Sequence, residues 1–193
     1  MRQPKALNIF IVAEQFRCAG KLTHLIPDLA ATNPAFAFAA DLPAMSAASM
    51  VCMAFSLELY FKCLIRMNRK PVGKGHDLAK LFALIGRRDR TKIKRYFHSH
   101  SANVRSYVQR MYEESGRPIP AVDVDFVLSA SKDAFAKIRY IYEHGVESDT
   151  GWLGDTIVEG ARKTILEKHP DWERARQISP LPETSFRSTF PAR

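Results

Sequence analysis

Apolar side chains recur along this chain at the three-and-four spacing of helices, and no stretch shows the alternation of a half-buried strand. Ile9, Val12, Ala13, Phe16, Ala19 and Leu22 form a stripe over residues 6–26, with Gly20 as its weak spot. The Thr32-Asn33-Pro34 turn breaks that helix, and Asp41-Leu42-Pro43 restarts the chain into a long helix over about 44–67. The second helix is apolar nearly all round as far as Phe55, which predicts that its neighbours enclose it. Residues 69–75 form a turn, and Asp77 is placed to cap a short helix over 78–85.

A helix over 88–114 carries Ile93, Phe97, His100, Val104, Tyr107 and Met111 along one seam, and Arg88, Lys92 and Arg95 on another face. The 116–120 loop, with Pro118 and Pro120, ends it. Asp123 or Asp125 starts a further helix running to Glu143, where Gly145 offers a stop, and Asp155 caps a last helix to Lys168. Short connections favour neighbours of opposite direction, so the expected fold is all-α, an antiparallel helical bundle over 1–169. Residues 170–193, with Pro180, Pro182 and Pro191, read as an irregular tail.

A length of 193 residues suits one domain with one core. Cys18, Cys52 and Cys63 are an odd number in apolar surroundings. The last two stand about 16 Å apart along one helix, too far for a disulfide. A reducing, cytoplasmic setting follows as the expectation. The N-terminal Met1–Ala13 stretch looks superficially like a secretory leader, but Asn8 and Glu14 interrupt it. Glu58 and Lys62 likewise argue that 45–65 is a core helix rather than a membrane span.

Charge changes the picture more than composition does. Between Lys62 and Arg95 stand twelve Lys or Arg against Asp77 and Asp89, a net +10, whereas the remainder of the chain carries −1. One contiguous segment therefore holds the whole basic excess, which either attracts a polyanion or serves as a solvated face.

Two phrases then draw attention: Ser56-Leu57-Glu58-Leu59-Tyr60-Phe61-Lys62-Cys63-Leu64, and Gly75-His76-Asp77-Leu78-Ala79-Lys80-Leu81. A third, Arg139-Tyr140-Ile141-Tyr142-Glu143-His144, answers them much later. Together they resemble the HEPN family of small helical bundles, over roughly residues 45–145. The resemblance implies an RNA-binding protein and a metal-independent endoribonuclease, of toxin or defence type, with Arg139 and His144 as the catalytic pair and no cofactor. It also implies a homodimer with a composite cleft, and an antitoxin or nucleotidyltransferase as a further partner. Tyr140 stands where enzymatic members often carry a small polar residue. Noncatalytic members use the bundle to bind nucleotides, RNA or proteins, and that alternative stays open beside a third, an unrelated helical interaction domain.

The residues fit such chemistry on their own terms. Histidine moves protons near neutral pH and arginine supplies a permanent cation for phosphate, so a ribose 2′-hydroxyl can attack without a metal. On a regular helix Arg139 and His144 lie about 140° apart in azimuth and about 7.5 Å apart in height. They converge only where the helix loosens or where two subunits pool their motifs. Arg88, Lys92 and Arg95 are the candidate RNA contacts, with Glu58, Glu143 and Tyr140 in support. Glu58 and Lys62 have favourable ion-pair spacing, and a buried Glu58 needs a partner such as His76 or Arg139. Tyr60, Tyr140 and Tyr142 are either core or base-stacking rings. Arg95 and His100 repeat the Arg-x(4)-His spacing, but His100 is expected in the packing seam. His98 and His100 face different ways, so no metal-binding set emerges.

Overall fold

Phe10, Ala13, Glu14, Arg17 and Gly20 are buried positions of the first helix, α1 (Ala6–Thr32), and their spacing makes one continuous face. This corrects the expected stripe, because Val12 and Leu22 are 39% and 59% exposed. The face that packs includes two charged residues, which are paired internally as described below. The computed structural model describes residues 5–32, 45–73, 75–131 and 152–175.

The long apolar run forms α2 (Met45–Met67). Its deepest part lies beyond Phe55: Leu57, Tyr60, Phe61, Leu64 and Ile65 are fully enclosed. By length and composition Ala47–Met67 could cross a membrane, but most of that window is buried inside the bundle. Contacts pair Ala6 with Cys63, Phe10 with Tyr60, Phe16 with Phe55 and Gly20 with Ser49, so α1 runs antiparallel to α2.

Asp77 caps α3 (Leu78–Leu84) as expected, its Oδ1 accepting from the Lys80 amide at 3.0 Å. The single helix expected over 88–114 is two, α4 (Arg87–His100) and α5 (Ala102–Glu114), broken at buried Ser101 with φ −100° and ψ 24°. The break ends the expected seam. Ile93 and Phe97 are buried, but His100 and Tyr107 are exposed, and Val108 takes the inner position of α5. Two short helices can each turn an apolar face inward, which one straight helix could not do here.

Asp123, not Asp125, accepts from the Phe126 amide at 2.8 Å and starts α6 (Val124–Ser131). The remainder of the helix expected to reach Glu143 lies outside the described residues. Gly154 occupies the N-cap of α7 (Asp155–Leu166), correcting the expectation that Asp155 does. Asp155 sits inside the first turn and accepts from the Trp152 indole at 2.6 Å. A short α8 (Trp172–Ala175) follows, and Trp172 stacks on His169 and tilts against Phe10. The segment read as tail thus begins in contact with the core.

Helix α7 joins the halves of the bundle. Arg17 and Lys21 meet Glu159 while Glu14 meets Arg162, so α7 runs antiparallel to α1. Tyr96 meets Gly160 and Lys92 meets Glu167, so it runs antiparallel to α4 as well. The described residues form an all-α bundle with eight helices among them.

Candidate nucleic-acid interface

The sequence Arg87-Arg88-Asp89-Arg90 opens α4, and the fold treats its one carboxylate differently from its arginines. Asp89 is 2% exposed and accepts from the Asn68 amide at 3.2 Å and the Lys168 ammonium at 2.6 Å, tying α4 to the end of α2 and the turn after α7. A carboxylate in a first helical turn also meets the positive end of the helix dipole. Arg87, Arg88 and Arg95 are exposed and Arg90 is half-buried. None of the four has an ion-pair partner among the described residues. The only acidic group of α4 faces inward while Arg87, Arg88 and Arg95 face solvent.

Two flanks result. On one, Arg87, Arg90, Thr91 and Lys94 border a cavity of about 310 Å³ against α3, with Lys94 held by Asp125 of α6. On the other, Lys92, Arg95, Tyr96, Ser99 and His100 face Gly160, Lys163, Thr164 and Glu167 of α7 across a groove of about 250 Å³. Lys92 and Arg95 share that groove, but Lys92 is paired with Glu167 at 2.6 Å. Arg88 lies one turn before Lys92 on the same side of α4, outside the groove's lining. Arg95 and His100, the second Arg-x(4)-His phrase, both line the groove. His100 and Tyr96 also line a larger cleft of about 400 Å³ reaching α1, α2 and the start of α7.

Arg139, His144, Tyr140 and Glu143 lie outside the described residues, as does Tyr142. Glu58 is 4% exposed and is held by Lys62 at 2.7 Å and by the His76 ring at 3.0 Å. Tyr60 is core. Its hydroxyl donates to buried Glu14, which also accepts from Arg162 Nε at 2.8 Å. Arg17 reaches Glu159 at 2.9 Å, Lys21 reaches the same carboxylate at 2.6 Å, and Arg162 touches Glu173 of α8 at 3.3 Å.

Sequence reasoning missed this network. The available signal was the spacing of 10, 13, 14, 17 and 20, which is helical only when the charges at 14 and 17 count as inner positions. Burial alone pushes the Glu14 carboxyl up, but hydrogen bonds from Tyr60 and Arg162 and the charge of Arg17 hold it below the usual carboxylate range. Burial and the Glu14 charge raise the Tyr60 phenol. Burial pushes the Cys63 thiol up to about 12, so it is a packing group rather than a nucleophile. Cys18, Cys52 and Cys63 are all free.

No protein-family model, curated protein or solved structure matches the chain at a significant level.

Proposed function

We propose that this protein binds RNA, taking its phosphate backbone along α4. The observation that carries the reading is the sorting of charge on that helix: Asp89 is spent inside, while Arg87, Arg88, Arg90 and Arg95 have no ion-pair partner among the described residues. Guanidinium forks suit phosphate oxygens. The choice of RNA over other polyanions rests on the HEPN resemblance of Ser56–Leu64 and Gly75–Leu81. Within the same proposal Arg139 and His144 carry metal-independent cleavage, a two-fold homodimer pools them, and the protein works in the cytoplasm.

Binding measured against salt tests this directly. Each phosphate contact to a single strand contributes about −0.7 to the slope of log K against log salt. Arg88→Ala with Arg95→Ala should therefore flatten the slope by about 1.4. Lys92→Ala should do less, because its ammonium already answers Glu167. An unchanged slope in the double variant assigns the basic excess to ordinary solvation.

A further inference from the structure

Tyr96 and His100 stand one turn apart on α4 and line both the groove toward α7 and the larger cleft beside it, so their rings form the wall between the two. The rings are stacked, with centroids 4.0 Å apart and planes at 9°. The wall is anchored. Tyr96 packs on the backbone at Gly160, where an added Cβ would come within 3.1 Å of its ring, and the Lys163 ammonium lies 5.4 Å from its centroid. The His100 ring is fixed by Nδ1, 2.9 Å from the Tyr96 carbonyl oxygen. A carbonyl only accepts, so Nδ1 is the donor and the ring cannot swing without losing that bond. His100 is nevertheless exposed. An exposed, oriented ring backed by a second ring is a platform on which a flat aromatic ligand can stack at little cost in side-chain freedom.

The two cavities on either side of the wall differ in chemistry. The groove carries Arg95 and Lys163, suited to phosphate. The cleft is about 400 Å³, within the range of small-molecule pockets, and Met53 gives it an apolar side; its carboxylates are already engaged, Glu159 by Arg17 and Lys21 and Asp155 by the Trp152 indole.

We infer that the cleft between α1, α2, α4 and α7 seats one unpaired nucleobase of an RNA strand against the His100 ring, with a neighbouring phosphate held by Arg95 and Lys163. This rests on the phosphate reading of α4 and adds to it that the ligand is single-stranded and that one base stacks in the cleft. A duplex cannot supply such a base without opening.

The experiment measures fluorescence anisotropy at pH 8 with labelled A10, the same strand annealed to its complement, and U10, across a salt series. A10 should bind more tightly than the duplex, which offers no unpaired base, and more tightly than U10, whose smaller ring stacks less well. His100→Ala should weaken A10 by about fivefold or more, the lower end for losing one stacked base. It should leave the salt slope unchanged, because the ring acts by stacking and not by contacting a phosphate. His100→Phe, which keeps a ring at the position, should recover most of the loss. Equal binding of A10, U10 and duplex, or a His100→Ala protein that binds A10 like the parent, would overturn the inference while a steep salt slope left the phosphate reading standing. Absence of binding to all three probes would overturn both.

Discussion

Replacing Glu14 with glutamine keeps the shape of the side chain and removes its charge from a site that is 3% exposed. In the parent, that carboxylate accepts from Tyr60 and from Arg162 at 2.8 Å and faces Arg17 at 3.5 Å. Two nearly buried guanidinium groups then lose a shared counter-charge, although Arg17 keeps Glu159 and Arg162 keeps Glu173. Breaking a buried pair from one side costs about 3–5 kcal/mol, and the remaining partners place this case near about 3. For a domain of this size that is a fall in Tm of about 6–12 °C. Tyr60→Phe removes only the donor and should cost about 1.5 kcal/mol. Because both variants cut the same bond, the double variant should lose less than the two added together. The pH dependence follows from the same carboxyl. Its folded pKa lies below its unfolded value, so its contribution is complete above pH about 4.3 and is lost as pH falls from there through the folded value. Thermal melts of parent and Glu14→Gln between pH 3 and 7 should therefore converge at the acid end. A Tm within 2 °C of the parent at pH 7 would show that the network contributes no net stability, and the reasoning would fail.

Asp89→Ala should cost about 3 kcal/mol in denaturant titration, because Lys168 and Asn68 lose their buried acceptor. Gly160→Ala places a methyl 3.1 Å from the Tyr96 ring, and forcing α4 and α7 apart should lower stability by about 1–3 kcal/mol and weaken single-stranded RNA binding together. If the chain cleaves RNA, Arg139→Ala and His144→Ala should each abolish EDTA-resistant cleavage, with parent products ending in a 2′,3′-cyclic phosphate; full activity in folded His144→Ala refutes the catalytic assignment.

The all-helical plan, the extent of α2 and the Asp77 cap were legible because each rests on local chemistry: an uninterrupted apolar run, or an acidic residue before a helix. The inner face of α1 was not. A hydrophobic count passes over Glu14 and Arg17, whose burial depends on Tyr60, Glu159 and Arg162, at least forty residues away in the chain. The break at Ser101 was hidden for a similar reason. Residues 88–114 keep helical spacing across it, and only packing decides that His100 turns outward and Val108 inward. The candidate interface was half legible. Arg88 and Arg95 are exposed as the spacing suggested, but the partner of Lys92 comes from α7, and the groove exists only once α4 and α7 are side by side.

The start of α5 has an electrostatic consequence for α4. A helix ends in carbonyl oxygens with no partner along its own axis, and they carry roughly half an electron's worth of negative charge. Arg105 reaches back from the next helix, giving Nη2 to the His98 carbonyl at 3.2 Å and Nη1 to the Ser101 hydroxyl at 2.7 Å. The negative pole is met by a fixed cation belonging to the fold itself. A polyanion laid along α4, as proposed, would therefore meet no uncompensated negative terminus where the basic side chains run out.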